Sequence, residues 1–379
     1  MSENTYCQDV ALVRGQVEVI ELTDGAGASV AVAPDYQGRV MTSTLAGGEG
    51  ASFGWLNAEF IASGAEDEVF NNYGGEDRFW LGPEAGQLGL WFGQGEPFET
   101  DRWRTPPGLN RGGFGVTARD GRSVAMARQF QVTNYAGTVF DCAVQRTVRL
   151  LDPAAAGELL RGPVGGGVKV VGFESENTLA NAGEATWSRD GGLLSIWILG
   201  QFKPLPRGKV IVPFRPGDPV ELGPKATTDY FGAIPPERCF VGDDHLLLNC
   251  DGKFRSKIGI SPQRAKKALG SFDPDACVLT IVQFNRPLTA PELPYVNSLW
   301  QIQDQPFAGD AVNSYNDGEA TPGAGQFGPF YEIETSSPAA ALEPGQSLTH
   351  VHRTFHFAGD IGALNELATR VLGVDVQRL

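Results

Sequence analysis

The chain lacks long hydrophobic runs, clusters of basic residues and abundant histidine: it has 4 histidines and 30 lysines plus arginines in 379 residues. No apolar stretch approaches the roughly 18 residues that a membrane span needs, so a membrane partner is not expected. The formal net charge is −15. Because an acidic surface repels phosphate backbones, nucleic acid is not an expected partner either. The longest basic stretch, Arg264–Lys267, is interpreted as the solvated face of a helix.

Cysteine is also scarce, and its spacing is uninformative. The five cysteines are odd in number and scattered, without a CxxC pair, which favours reduced thiols in a cytoplasmic protein over a disulfide framework or a zinc site. The amino terminus, Met1–Thr5, lacks the basic and apolar regions of a signal peptide. A leader trimmed from a secreted form remains an alternative.

Several catalytic signatures are missing as well. The sequence contains no P-loop, no GxGxxG helix entry, no GxSxG elbow and no HExxH helix. Nucleotide-binding, serine hydrolase and zinc protease functions therefore lack support, and no cofactor is expected.

Short strand patterns separated by turn residues dominate the chain. Gln16–Leu22 alternates polar and apolar residues and passes through an Asp-Gly turn into Ser29–Ala33, which predicts a β-hairpin. With 49 glycines and 25 prolines spread along the chain, the sequence predicts an all-β fold, a single large β-sandwich domain over residues 1–379. Further strand patterns lie at Ala125–Val132, Cys142–Leu150, Val168–Phe173, Leu193–Leu199, Lys209–Val212, Leu246–Asn249, Cys277–Phe284, Phe330–Thr335 and Ser347–Phe357.

Helical patterns are few. Ser261–Leu269 predicts a short helix with Pro262 in its first turn, and Asp360–Leu372 predicts an amphipathic C-terminal helix capped by Asp360. Two long stretches, Glu84–Gly112 and Asn285–Pro329, are interpreted as loops that build a binding site.

The segment Gly74–Glu84, GGEDRFWLGPE, resembles a signature of uncharacterised bacterial proteins grouped with the galactose mutarotase-like superfamily. The likeness to that group covers most of the chain and includes Asp251–Gly259, Tyr295–Ser298 and Asn313–Gly318. The resemblance implies the large sandwich of that superfamily and a small-molecule carbohydrate as partner.

The likeness to aldose 1-epimerases is patchier. The Gly74–Glu84 segment loosely matches their Gly-Asn-Arg stretch, which places Arg78 on the substrate-binding arginine. Ile333–Thr335, followed by the turn Leu342–Gln346, is similar to their Leu-Glu-Thr stretch and Leu-x-Pro-Gly turn, which implies that Glu334 is the general base. One departure is clear, since epimerases use two histidines on early and middle strands and this chain has none before His245.

Opening a cyclic sugar needs a base for the anomeric hydroxyl and an acid for the ring oxygen. Glu332 and Glu334 lie two apart on a predicted strand, so both side chains point to one face. Two buried carboxylates repel each other, which raises one pKa. The alternative is that they form ion pairs or line a solvent-exposed face.

Other polar and aromatic residues are candidate substrate contacts. Sugar sites combine flat aromatic faces with charged groups that hydrogen-bond hydroxyls. For Arg78, the alternative is an Arg–Asp pair that fixes a loop, and for Trp80 it is a position in the core. For Tyr315 and Asp317, the alternative is an ordinary turn. The predicted substrate-binding residues are Arg78, Glu76, Trp80, Glu84, Tyr315, Asp317 and Glu332.

Three of the four histidines, His350, His352 and His356, share parity on the last predicted strand. If that strand pairs beside Phe330–Thr335, histidines and glutamates meet, and His352 is the candidate general acid. The alternatives are a metal site built from the three histidines and a solvent-facing polar stripe.

Three functions follow from these patterns. The first is a sugar epimerase or mutarotase with Glu334 as base and Arg78 orienting the ring. The second is a non-catalytic carbohydrate-binding protein, favoured by the missing early histidines. The third is a metal-assisted sugar lyase or hydrolase that uses the histidines.

Overall fold

Strands form most of the regular structure. A computed structural model describes residues 4–321 and 323–379, with 39% of residues in strands and 13% in helices. The all-β prediction is therefore confirmed. None of the described helices has the length and apolar character to cross a membrane, and the five cysteines are free thiols.

Residues 4–321 and 323–379 contain eighteen strands and six α-helices. The strands are β1 Ile20–Thr23, β2 Ser29–Ala33, β3 Arg39–Thr44, β4 Arg78–Gly82, β5 Gly115–Arg119, β6 Ser123–Thr133, β7 Val139–Leu151, β8 Val168–Asn181, β9 Ser195–Phe202, β10 Leu205–Pro213, β11 Cys239–Val241, β12 His245–Cys250, β13 Ser256–Ile260, β14 Ala268–Asp273, β15 Val278–Phe284, β16 Val312–Asn316, β17 Tyr331–Ser336 and β18 Ser347–Gly359. The helices are α1 Tyr6–Arg14, α2 Ala58–Ser63, α3 Pro107–Asn110, α4 Pro153–Leu159, α5 Pro219–Leu222 and α6 Ile361–Leu372, with 3₁₀ turns at Ala290–Glu292 and Val376–Arg378.

Two antiparallel sheets face each other. One has ten strands in the order β11-β12-β10-β14-β15-β18-β8-β7-β6-β5, and the other has five in the order β13-β16-β17-β9-β4. Apolar side chains from both sheets fill the space between them in two large clusters. A three-stranded sheet, β1-β2-β3, packs beside them with α1 and α2. This is the sandwich that the strand patterns predict.

The outer face of the ten-stranded sheet is covered by α4 and α6. The prediction of a C-terminal helix is confirmed: Asp360 caps α6 by accepting a hydrogen bond from the Ala363 amide, and Gly373 ends it at φ +74°. Leu364 and Leu367 face the sheet, as the three- and four-residue spacing requires.

The predicted helix at Ser261–Leu269 is wrong. This segment turns tightly and enters β14 at Ala268. Arg264, expected on a solvated helix face, is fully buried and donates hydrogen bonds to the carbonyl oxygens of Arg215, Gly217, Gly223 and Pro224. Satisfying these loop carbonyls outweighs the helical preference of the segment. The predicted loop Asn285–Pro329 likewise contains strand β16.

The histidines of β18 lie in the interior rather than facing solvent. Strand β18 pairs with β15 and β8, not with β17, and it faces the five-stranded sheet across the core. The Thr335 hydroxyl of β17 lies 2.8 Å from His350 Nε2 and 2.9 Å from His352 Nδ1. Burial lowers the pKa of His350 to about 3 and that of His352 to about 4, and mutual repulsion adds to the effect at His350. Both imidazoles are therefore neutral at pH 7.

We expect acid to destabilise the fold through these two histidines. In the unfolded chain a histidine titrates near pH 6.5, so the unfolded state binds protons first as the pH falls and stability drops between about pH 6.5 and 4. The expected loss is roughly 2 kcal/mol per histidine at pH 5. Urea midpoints of the wild type and of the His350→Gln/His352→Gln variant measure it. An equally steep decline in the double variant would contradict the assignment.

Candidate functional site

One face of the five-stranded sheet forms the floor of a cleft whose space, about 590 Å³, opens to solvent. Alternate residues of a strand point to opposite faces, so every second residue of each strand reaches this floor and the others enter the core. Two neighbouring rows run across the floor in register. The first row is Lys257, Tyr315, Glu332 and Gln201, and the second is Asn313, Glu334, Leu199 and Arg78.

Arg78 lies on β4 with its guanidinium stacked on an aromatic ring. The guanidinium carbon is 3.8 Å from the ring centroid of Trp80 and 5.1 Å from that of Phe70. Its Nη2 donates a hydrogen bond to Glu332 Oε1 at 3.2 Å. The side chain is 3% exposed, so stacking fixes the plane in which its remaining donors point.

Glu334 lies on the same face of the sheet as Glu332, but it is fully buried and is not one of the residues that line the cleft. Its Oε2 accepts a hydrogen bond from Trp197 Nε1 at 2.8 Å and pairs with the Lys257 ammonium at 3.2 Å. Its Oε1 has no hydrogen-bond partner among the described residues. One carboxylate oxygen is thus held in place, and the other is a buried acceptor without a hydrogen-bond partner.

Aromatic side chains from several loops form the walls of the cleft. Glu84 and Trp103 come from the long stretch predicted to build a site, and Trp103 Nε1 donates a hydrogen bond to Glu84 Oε1 at 2.8 Å. The Arg255 guanidinium lies over Phe231, 3.9 Å from the ring centroid. The aromatic lining consists of Phe70, Trp80, Trp103, Trp197, Phe231, Trp300, Tyr315, Phe327 and Phe330.

Tyr315 lines the cleft, whereas Asp317 lies behind it. The Tyr315 hydroxyl donates a hydrogen bond to Asp317 Oδ1 at 2.6 Å, and Asp317 Oδ2 accepts another from the Gly328 amide at 2.8 Å. Asp317 therefore holds Tyr315 and the segment that follows Phe327, and it is not one of the residues that line the cleft.

Glu76 and His352, two of the predicted site residues, point away from the cleft. Glu76 is fully buried between the sheets, where it accepts hydrogen bonds from the amide and hydroxyl of Ser43 and contacts His356 Nε2 at 2.8 Å. Glu76 precedes β4 and follows Gly74 and Gly75, which turn the chain. The in-and-out alternation of side chains along β4 therefore does not extend to Glu76. His352 belongs to the ten-stranded sheet and contacts Thr335, whose side chain points from β17 into the core. Glu334 points to the opposite face of β17, so His352 and Glu334 do not meet.

The motif segment owes its shape to two glycines and a buried ion pair. Gly74 and Gly75 have φ of +85° and +111°, and a Cβ at Gly74 would collide with the Trp55 carbonyl oxygen. Asp77 then enters the core, where it pairs with Arg146 and accepts a hydrogen bond from Ser175 Oγ at 2.6 Å. The next residue, Arg78, consequently points into the cleft.

Burial shifts the titration of the cleft carboxyls. It raises the pKa of Glu332 to about 8; Arg78 opposes the shift and Glu334 adds to it. Burial also raises the pKa of Glu84, against the attraction of Lys257. For Lys257, burial would lower the pKa, but the attraction of Glu334 and the other cleft glutamates outweighs it and the pKa is raised. Glu332 is thus mostly protonated at pH 7, and its 3.2 Å contact with Arg78 is a hydrogen bond more than an ion pair.

Several buried polar atoms around the cleft lack a partner within residues 4–321 and 323–379. A buried polar atom without a hydrogen bond costs free energy, so a group of them facing one space indicates a ligand that completes them. These atoms are Arg78 Nε, Arg78 Nη1, Gln201 Oε1, Trp300 Nε1 and Glu334 Oε1.

The part of the chain that the structure describes contains no group of three or more histidine, cysteine, aspartate or glutamate side chains placed to hold a metal ion. Of the three β18 histidines, His350 and His352 contact the Thr335 hydroxyl, and His356 contacts the Glu76 carboxylate.

Sequence reasoning missed Lys257 and Arg255 as site residues. Both lie in Asp251–Gly259, a segment singled out only for its resemblance. Arg255 immediately precedes β13 and Lys257 is the second residue of that strand. The i, i+2 spacing of two cations beside a strand was the available signal. Trp197, Gln201 and Trp300 carried no comparable signal.

A family profile matches residues 4–379, which is nearly the whole chain. Its description is "Family of unknown function (DUF6786)". The chain belongs to this family. No curated protein matches it.

Solved structures similar to this DUF6786 protein support its fold. A candidate aldose 1-epimerase from Escherichia coli K12 superposes with a TM-score of 0.54 at 11% identity, covering 90% of this chain and 99% of that chain. A galactose mutarotase-like protein from Lactobacillus casei ATCC 334 gives a TM-score of 0.46 at 10% identity, covering 89% and 100%. The first likeness shows that the DUF6786 chain shares the fold of that protein, in line with the large sandwich that the resemblance implies.

We expect Lys257→Met to destabilise this DUF6786 protein by about 3–5 kcal/mol, because it leaves the buried Glu334 carboxylate without its ammonium partner. The Lys257→Met/Glu334→Gln double variant should recover most of that loss, since the uncompensated charge is gone. Urea unfolding of the two variants and the wild type measures the difference. A loss below about 1 kcal/mol in the single variant would show that the pair is not coupled as the geometry requires.

Proposed function

We propose that this protein binds a sugar in the cleft and interconverts its anomers or epimers, with Glu334 as the general base. The observation that carries the proposal is the pair Glu332 and Glu334 on one strand face, with Arg78 held flat on Trp80 beside them. Aromatic walls suit the apolar C–H faces of a pyranose ring, and the unpartnered polar atoms suit its hydroxyls. The fold shared with sugar epimerases is consistent with this chemistry.

The base acts through the free oxygen of Glu334. Lys257 and Trp197 hold Oε2, so Oε1 is the atom that takes the proton of the anomeric hydroxyl. As that proton leaves, the C1–O1 bond becomes a carbonyl and the bond between C1 and the ring oxygen breaks. Rotation about the C1–C2 bond and reclosure then give the other anomer.

The acid in this mechanism is Glu332 rather than His352. The carboxyl of Glu332 lines the cleft and carries a proton at neutral pH, because burial raises its pKa. It lies two residues, about 7 Å along the strand, from Glu334, so a ring between the two carboxyls contacts both. Donation of the Glu332 proton to the ring oxygen completes the opening. In this proposal a carboxyl that keeps its proton acts as the acid and its neighbour on the strand acts as the base.

The DUF6786 family is, in this proposal, the bacterial group that carries the GGEDRFWLGPE motif. The motif residues do two jobs in the structure, since Asp77 anchors the strand in the core and Arg78 reaches the cleft. A non-catalytic sugar-binding protein is the competing function, and the kinetic experiments below separate the two.

The Glu334→Gln variant keeps the shape of the side chain but removes the proton acceptor. We expect anomer exchange, followed by NMR magnetisation transfer, to fall by roughly 10²–10⁴-fold while sugar binding changes little. Glu366→Gln, an exposed carboxylate on α6 outside the cleft, is the matched control. Unchanged exchange in Glu334→Gln, with binding intact, would leave a binding protein.

The proposed acid, Glu332, also determines how kcat/KM depends on pH. Glu332 donates only when protonated, so kcat/KM should be retained below its pKa and fall as the pH rises through about 8. Rates measured from pH 6 to 9.5 should show this descending limb, and Glu332→Gln should be slow at every pH, without the limb. A wild-type rate that stays constant to pH 9.5 would exclude Glu332 as the acid.

A further inference from the structure

The cleft contains three cations, and one of them is unpaired. Lys257 pairs with Glu334, and Arg78 donates to Glu332. Arg255 makes no hydrogen bond or ion pair with any described residue; its guanidinium lies 3.9 Å from the Phe231 ring centroid and 5.7 Å from that of Trp300. A half-buried guanidinium held on aromatic faces keeps its in-plane N–H donors for a ligand.

The unpartnered atoms near the cleft are mostly donors. Arg78 Nε and Nη1 and Trp300 Nε1 need acceptors, and Arg255 adds its own N–H groups. The unpartnered acceptors are Gln201 Oε1 and Glu334 Oε1, and the mechanism assigns Glu334 to the anomeric hydroxyl. Sugar hydroxyls donate as well as accept, whereas an anionic group only accepts. An excess of donors therefore fits a ligand with an anionic substituent.

The position of Arg255 specifies where that substituent lies. Arg255 immediately precedes β13 and lies two residues before Lys257, a spacing of up to about 7 Å in an extended chain. Lys257 pairs with Glu334, the proposed base, so it lies near the anomeric end of the bound sugar. The exocyclic carbon of a pyranose is attached on the other side of the ring oxygen from C1. An anionic group carried on that carbon therefore extends away from the anomeric position, towards Arg255.

We propose that the substrate is an acidic sugar whose anionic exocyclic group, a carboxylate or a phosphate, binds Arg255 beside Trp300. This inference rests on the proposed function of the same cleft. The raised pKa of Glu332 supports it, because a protonated Glu332 leaves the positive charge of Arg78 less compensated.

Calorimetric titration of wild type, Arg255→Gln and Lys253→Gln with matched sugars tests the proposal. The probes are glucose, galactose and mannose, their uronates, and their 6-phosphates, so the carboxylate and phosphate arms are separate. For at least one sugar we expect the wild type to bind an acidic form on the order of 10–100-fold more tightly than the neutral form. Arg255→Gln should bring that ratio close to one. Lys253→Gln, an exposed cation on the same segment, should keep it.

The outcomes distinguish this inference from the proposed function. Neutral sugars bound as tightly as every acidic form, or a ratio that survives in Arg255→Gln, would overturn the acidic-sugar assignment and leave the sugar site in place. Absence of binding by all nine probes would overturn both. Acid-selective binding that depends on Arg255, without anomer exchange, would support this inference and reject the catalytic function.

Discussion

The buried pair of Asp77 and Arg146 is the interaction on which the cleft depends. Strand β4 is an edge strand of the five-stranded sheet, and Asp77, immediately before it, is tied through Arg146 and Ser175 to two strands of the facing sheet. Both side chains of the pair are completely buried, so removal of either one leaves an uncompensated charge, whereas the intact pair need not add much stability. Its effect is positional: with Asp77 fixed in the core, Arg78 must face the cleft.

The fold and about half of the site follow from local sequence. Alternation and turn residues predict the strands, and the spacing in Asp360–Leu372 predicts α6. The motif predicts Arg78, Glu76, Trp80 and Glu84 as substrate-binding residues; the structure puts Arg78, Trp80 and Glu84 on the cleft and Glu76 in the core. The strand and helix predictions succeed because each depends on residues a few positions apart.

The inferences that failed depend on which strands become neighbours. His352 would meet Glu334 only if β18 paired with β17, but β18 lies in the other sheet. Lys257 reaches Glu334 across β16, and the two residues are far apart in sequence. Sheet order is set by the packing of the whole core and not by the residues of one strand, so single-strand patterns cannot supply such pairs. The same reason explains Arg264, whose partners are carbonyls of a loop some forty residues earlier.

An acidic ligand in a chain of net charge −15 raises the question of repulsion. At physiological ionic strength, charges separated by more than about 8 Å through solvent are largely screened, so most surface carboxylates act weakly on a ligand in the cleft. Contacts inside the cleft are shielded from water and count for more. There Lys257 offsets Glu334, the proton on Glu332 removes a second negative charge, and Arg255 forms no ion pair, although it attracts the more distant carboxyls of Glu84 and Asp317. The local field at the exocyclic position is therefore set by Arg255 and not by the net charge of the chain, and the acidic surface instead slows the approach of such a ligand without weakening its final contacts.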